Sequence, residues 1–187
     1  MKLGRIAHNQ RRGSRSEAVI LFSVSAHNFA IAAQAVEEIR DAAGVRPFAH
    51  GVAKVKNVRS LLLRDENTYF VVNLAEHLGM APAPAQRLLL LSESPVALGT
   101  TRIDRMAEIS ALHPLPRAFQ GSERKWYRGL ALMGEEVVPV IEPAAILNAE
   151  ELLALSAALP VPTGPGANIG REKNEKQLAA SSQQSLL

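Results

Sequence analysis

The chain contains no cysteine. That excludes a disulfide framework, a thiolate metal centre and a Cys nucleophile, and it fits a reducing, cytoplasmic setting. Aromatic residues make up 4% of the 187 positions, and Phe22, Phe29, Phe70 and Trp126 stand among apolar neighbours rather than between Lys and Arg. Such an arrangement is a poor stacking platform for single-stranded nucleic acid. No apolar run approaches the roughly 18 residues of a membrane span, so no direct membrane insertion is expected. The longest pure aliphatic run, Leu88 to Leu91, is of strand length. The basic opening MKLGRIAHNQRRGSRSE is not followed by an apolar segment with a small-residue cleavage site, so no secretory signal is expected.

Catalytic constellations are missing as well. The five histidines, His8, His27, His50, His77 and His113, lack metal-ligand spacing and flanking acid pairs, and are expected at surface or loop positions. Ser122 and Lys125 form an S-x-x-K tetrad inside a charged GSERK segment, without the companion motifs that give that tetrad its chemistry. Closely spaced glycines of phosphate-loop type occur only at Gly164 and Gly166. Nothing supplies a nucleophile, a base and an oxyanion donor together, so the expectation is a protein with no enzymatic activity and no cofactor.

The most informative stretch present is SLLLRDENTYFVVNLAEHLG, Ser60 to Gly79. It reads as an apolar strand over Leu61–Leu63, a polar turn at Asp65, Glu66 and Asn67, a β-branched and aromatic strand over Thr68–Val72, and a short helical turn. Asn73 is placed to cap that turn, Glu76 to reach back to the cap amide and Gly79 to end it. Sixty-nine positions later the same plan returns without a gap as GLALMGEEVVPVIEPAAIL, Gly129 to Leu147. Leu61 then falls on Leu130, Leu63 on Leu132, Glu66 on Glu135 and Val72 on Ile141.

The rest of the chain repeats too. AVILFSV (Ala18–Val24) and NFAIAA (Asn28–Ala33) form a predicted hairpin, followed by QAVEEIRD, which fits either one helical turn or an extended edge. GVRPFAHGVAKVKN (Gly44–Asn57) is a loop or weak strand. APAPAQ (Ala81–Gln86) is a proline-marked linker. After it RLLLLS, Val96–Gly99 and IDRMAEI restart the first half's plan. Asn148–Leu159 is the one clear helix, with Asn148 as cap, Glu151 as its box partner and leucines 152, 153, 155 and 159 assigned to one face.

These patterns predict an all-β fold of about ten short strands, five per half, in two small pseudo-repeated SH3-like β-barrels that share a core, with short helical turns and a C-terminal helix. The expected boundaries are a basic tail over 1–16, a first barrel over about 17–80, a second over about 87–147, the helix over 148–159 and a disordered tail over 160–187. The net charge of +3 reflects the cluster Arg5, Arg11, Arg12 and Arg15, which reads first as a solvated arm. With no catalytic set, exposed strand edges and loops point to a role between other proteins.

From about Glu17 to Leu155 the chain resembles the CheW family of adaptors, which couple chemoreceptors to a CheA-type histidine kinase. ILFSV, AVEEI, SLLLRDENTYFVVNLAEHLG, RLLLL, the Ile103–Asp104 pair and YRGL with VVPVIEPAAIL carry the likeness. The resemblance implies a pair of five-stranded barrels around a shared core. It also implies a groove between them for the tip of a chemoreceptor's cytoplasmic hairpin, and barrel edges that pair with the kinase's regulatory domain. On this reading Val36, Glu38 and Ile39 are protein-binding, and Leu88 and Leu90 border the groove. The family's GhhNLRGxhhPhhDL signature (h apolar) falls on Ser60–Leu74 and is replaced by Ser60, Leu63, Arg64, Asp65, Glu66, Phe70 and Asn73 at its Gly, Asn, Leu, Arg, Gly, Pro and Asp positions. The charge reversal at Asp65, beside Arg64 and Glu66, implies an altered contact turn and specialised partners. Two alternatives remain: a small-barrel nucleic-acid binder using Arg11 and Arg12, and a hydrolase built on Ser122 or a histidine.

Overall fold

The computed structural model describes residues 16–49, 51–52, 55 and 57–159. Residues 1–15 of the basic arm lie outside them, as does the 160–187 tail for which disorder is expected.

The first half supplies β1 (Glu17–Val24), β2 (His27–Ala32), β3 (Val36–Asp41), β4 (Arg46–Pro47), β5 (Val58–Arg64), β6 (Asn67–Asn73) and the short helix α1 (Leu74–His77). The second supplies β7 (Arg87–Leu91), β8 (Val96–Thr100), β9 (Arg102–Ile109), β10 (Tyr127–Met133) and β11 (Glu136–Ile141), then a 3-10 turn (Pro143–Ala145) and helix α2 (Ala149–Ala157). The ambiguous QAVEEIRD segment is thus extended, with a 3-10 turn over Ala33–Ala35 before it. Among its described residues the Gly44–Asn57 passage contributes only the two residues of β4.

The strands form a five-stranded sheet in the order β10-β11-β2-β1-β9 and a six-stranded sheet in the order β3-β7-β8-β6-β5-β4. Each sheet mixes the two halves, which corrects the expectation of one barrel over 17–80 and another over 87–147. The opening hairpin β1–β2 lies between β9 and β11 of the second half. Its counterpart β7–β8 lies between β3 and β6 of the first. The exchange is reciprocal, so neither half closes its sheet without the other. Parallel pairing joins the pieces, Val140 with Ala30 and Phe70–Asn73 with Val96–Gly99.

The repeat persists in geometry. Moved by sixty-nine positions, β5 coincides with β10, β6 begins where β11 begins, and α1 begins where the Pro143–Ala145 turn begins. Both hairpins carry a bulge at the same place, at Arg59 and at Arg128. Asn73 caps α1 by accepting from the amides of Ala75 (3.0 Å) and Glu76 (3.5 Å), and the equivalent Glu142 accepts from the amide of Ala144. The Glu76 carboxylate, expected to reach back to the cap, pairs instead with Arg59 at 3.5 Å. Gly79 ends α1 at φ +68°, as expected of a glycine there.

Each sheet surrounds an apolar interior of its own. Val19, Leu21, Ala30, Ile109, Ala131, Val138 and Val140 form one, with residues from all five strands. Leu62, Tyr69, Val71, Leu88, Leu90 and Ala97 form the other. The alternate residues of the same strands, including Phe22, Ile31, Phe70, Val72, Leu89 and Leu98, are also buried. Strands covered on both faces read as continuous apolar runs rather than alternating ones, which is why AVILFSV and RLLLL look as they do. Helix α2 carries the complete reciprocal cap: the Glu151 amide donates to Asn148 Oδ1 and the Asn148 amide donates to Glu151 Oε2, both at 2.9 Å. Its leucines do not share one face. Leu155 is fully buried whereas Leu153 is 73% exposed, because 153 and 155 stand about 200° apart on a helix of 3.6 residues per turn.

Candidate functional site

Strand β3 is a terminal strand of its sheet, paired on one side only, with Glu38 opposite Leu90 and Arg40 opposite Leu88. The pairing slips between Val36 and Glu38, making Glu37 an unpaired bulge residue. In a regular strand Glu37 and Glu38 would point to opposite faces. A bulge lets two consecutive side chains serve the same neighbourhood.

That neighbourhood centres on Arg64, the last residue of β5. Its guanidinium places Nη2 2.9 Å from Glu38 Oε2, Nη1 3.5 Å from Glu37 Oε1 and Nε 3.8 Å from Asp65 Oδ2. The Glu38 contact is ionic rather than a well-aligned hydrogen bond, since Oε2 is buried without a hydrogen-bond partner. Arg40 Nε lies 3.5 Å from Glu38 Oε1, and the Tyr69 hydroxyl donates to Glu37 Oε2 at 3.2 Å. Desolvation works against charge on Arg64, but Glu38, Asp65, Glu37 and the Tyr69 hydroxyl outweigh it and hold the guanidinium pKa above its ordinary value. Burial, followed by the nearby Glu37, raises the Tyr69 pKa. Because β3 and β5 lie near opposite ends of the strand order, Arg64 also ties the sheet together across a gap that no backbone ladder spans.

Five of the eight residues assigned to protein binding meet around this edge: Val36, Glu38, Ile39, Arg64 and Asp65. Ile39 is 42% exposed, and Asp65 and Glu66 stand open at the turn. Leu88 and Leu90 are fully buried in the interior of the same sheet and offer no surface to a partner. β7 is a central strand covered on both faces. Leu91 of β7, with Ala32, Gln34, Ala35, Arg128 and Glu142, lines a space of about 530 Å³ between elements of the two sheets, and Leu88 lies at the floor of another, of about 320 Å³, with Val45, Val71, Asn73 and Ala85. Sequence reasoning missed Glu37, Arg40 and Tyr69. A run of two acids and an arginine is visible in QAVEEIRD, but the bulge that turns both acids toward Arg64 leaves no residue signature.

His77 departs from the expected surface or loop placement. Its ring packs against Trp126 with centroids 4.4 Å apart, its Nδ1 is contacted by the Asn57 amide nitrogen, and its Nε2 is buried without a partner. Burial lowers its pKa to about 4. His27 and His113 are exposed, and His8 and His50 lie outside the described residues. Ser122 and Lys125 are both exposed on a 3-10 turn (Ser122–Trp126). Among the described residues no group of three or more His, Cys, Asp or Glu is placed to hold a metal ion, and no helix is long and apolar enough to cross a membrane.

The family model described as "CheW-like domain" matches residues 18–151. The crystal structure of the scaffolding protein TtCheW from Thermoanaerobacter tengcongensis is similar in fold, with a TM-score of 0.63 at 12% sequence identity, covering 74% of this chain and 98% of that one. No curated protein matches the chain significantly.

Proposed function

The chain belongs to the CheW-like domain family, non-enzymatic scaffolds and adaptors of chemotaxis signalling, and on that premise we propose that it couples a particular chemoreceptor to a particular CheA-like kinase through the β3 edge. The cytoplasmic face of a receptor array is the setting this role requires. The kinase's regulatory domain docks on Val36, Glu38, Ile39 and the Arg64–Asp65–Glu66 turn, and the receptor's helical tip enters the cleft bordered by Leu91 and Arg128.

The observation that carries the reading is the charge cluster at that edge. An exposed isoleucine beside acids held in place gives apolar area together with a fixed register, a combination suited to a specific interface. The same cluster supports a specialised partner. Arg64 is occupied by three acids of its own chain, and Asp65 stands where the family signature has Arg. A partner that presents an acid to that Arg meets repulsion here, whereas one presenting a base is favoured.

Co-purification with a CheA-like kinase and with a receptor cytoplasmic fragment from the same cells tests the proposal. Retention of both is expected. Glu38→Lys and Ile39→Asp should abolish kinase retention, and Asp65→Arg should shift preference toward kinases that pair with signature-bearing adaptors. Failure to retain either partner at low salt, together with no cellular effect of Glu38→Lys, overturns it. The nucleic-acid alternative has a separate mark, a steep loss of binding with salt that depends on Arg11 and Arg12.

A further inference from the structure

The cleft of about 530 Å³ bordered by Leu91 and Arg128 holds more negative charge than its own residues compensate. Ala32, Ala35 and Ala144 contribute only a methyl each to its lining, which lets the backbone of a helical segment come close. The charged residues of the lining are Glu93, Arg128 and Glu142. Arg128 is already engaged, because its Nη1 and Nη2 donate to the two oxygens of Glu17 at 2.6 and 3.1 Å. Those bonds outweigh burial and raise the Arg128 pKa, with Glu142 a lesser contributor. One guanidinium thus stands among three carboxylates.

We propose that the receptor segment seated in this cleft presents a lysine or arginine to Glu93 and Glu142. That a receptor occupies the cleft is the premise, taken from the coupling role proposed for the chain; the charge it brings is the further step. Two observations select a base. The first is Glu93, on a turn between β7 and β8 that is pinned from both sides. The Ser92 amide and hydroxyl donate to the carbonyls of Ala35 and Gln34, both at 3.1 Å, and the Pro95 carbonyl accepts from the Phe70 amide at 2.8 Å. The Glu93 carboxylate has no hydrogen bond or ion pair among the described residues. An exposed acid on an anchored turn is a fixed source of negative charge for a partner.

The second observation comes from the duplication. Glu142 is equivalent to Asn73, and each caps the helical turn that follows it through a side-chain oxygen. A cap needs only the acceptor. Neutral Asn73 supplies it to two amides, at 3.0 and 3.5 Å, whereas Glu142 reaches one, at 3.4 Å. The charge at 142 is therefore surplus to the cap. The accompanying arginines differ in the same sense. Arg59 pairs with Glu76 of α1, but Ala145 stands at the equivalent place in the second copy, and Arg128 pairs with Glu17 instead. Glu142 is left on the cleft wall with only the field of an arginine already shared with Glu17 to offset it. An acidic partner residue would meet two carboxylates there, whereas a base is attracted by both.

Parallel titrations of the full chain with a receptor cytoplasmic fragment from the same cells and with a CheA-like kinase separate the premise from the charge preference. Glu93→Gln and Glu142→Asn, the latter copying the cap of the first half, should each weaken receptor binding by roughly threefold to tenfold, and together they should flatten its salt dependence. Kinase affinity and the urea midpoint should stay at their native values. Glu93→Lys should nearly abolish receptor binding, and changing the lysines and arginines of the fragment's tip to Glu one at a time should find the position that restores it. Receptor binding that is unchanged or strengthened by both neutral substitutions overturns the basic partner and leaves the coupling role standing. No receptor binding by the native chain overturns the premise and the proposal with it. A lowered urea midpoint together with weakened kinase binding assigns the two acids to the fold and also overturns the proposal.

Discussion

The hairpins β5–β6 and β10–β11 share a backbone and differ in almost everything they show to solvent. Strand starts, the bulge before the strand core, the two-residue turn and the cap of the following helical turn all coincide after a shift of sixty-nine positions. The first hairpin ends in Arg64, Asp65 and Glu66, and its arginine reaches to β3. The second ends in Gly134 and Glu135 behind an open Leu132–Val137 pair. Duplication therefore preserved the positions that build the two interiors and released those that face solvent. Residues at equivalent positions act as mutual controls, because each substitution can be copied from one hairpin into the other.

The largest contrast lies just after the hairpins. His77 is equivalent to Ile146, which is almost fully buried. The folded His77 pKa of about 4 lies below the ordinary 6.5. Between these values the unfolded chain binds the proton and the folded chain does not. Stability from this group is therefore fully present above pH 6.5, is lost as pH falls, and declines no further below about 4. Up to about 3 kcal/mol is expected to disappear across that window. His77→Ile, copying the second half, should flatten this limb of the pH–stability profile relative to the native chain in urea titrations. An unchanged slope would show that the ring is protonated in the folded state.

Next in size is the start of β10. A Cβ added to Gly129 would lie 2.5 Å from the carbonyl oxygen of His113 and 2.8 Å from Leu112 Cγ. The backbone of His113 is fixed there by two hydrogen bonds to Leu130, both 2.8 Å. Gly129→Ser should cost about 2–3 kcal/mol, since backbone must move. The equivalent residue is already Ser60, facing Pro47 of β4, and Ser60→Gly should cost only about 0.5–1 kcal/mol. Denaturant midpoints of the two variants test the asymmetry, and similar losses would break it.

These contrasts show which parts of the structure were legible in residue order. The two hairpins, the Asn73 cap and the Asn148–Glu151 box follow from local signals, periodicity and hydrogen-bonding side chains, and all are found. The duplication was visible because the interior positions keep their chemistry. Exchange of β1–β2 and β7–β8 between the halves was not visible, because strands covered on both faces carry no mark of which neighbour covers them. The same continuity hid the depth of Leu88 and Leu90, which lie in an unbroken run of four leucines with no alternation to indicate a face. At the candidate site residue order singles out Glu38, Ile39 and Arg64, but their convergence depends on the bulge at Glu37, a feature of pairing rather than of composition. His77 was misplaced because Trp126, which covers it, is forty-nine positions away.

The smallest contrast bears most directly on the contact turn. Asp65 adopts φ +51° and its equivalent Gly134 φ +67°. Left-handed backbone brings a Cβ against the following carbonyl, at a cost of about 1–2 kcal/mol for an ordinary residue, less for Asp. Gly134→Asp should therefore destabilise by about 1 kcal/mol, and it also sets a third acid beside Glu135 and Glu136. Asp65→Gly should stabilise by up to about 1 kcal/mol, because the Arg64 contact it removes is a 3.8 Å pair to a largely exposed carboxylate, and such pairs contribute little. Urea midpoints at moderate ionic strength distinguish the outcomes. A gain in stability on Asp65→Gly accompanied by lost kinase retention would mean that the strained aspartate is kept for a partner rather than for the fold. A loss of stability would instead make Asp65 part of the internal clamp on Arg64, and the charge reversal at the turn would then need no partner to explain it.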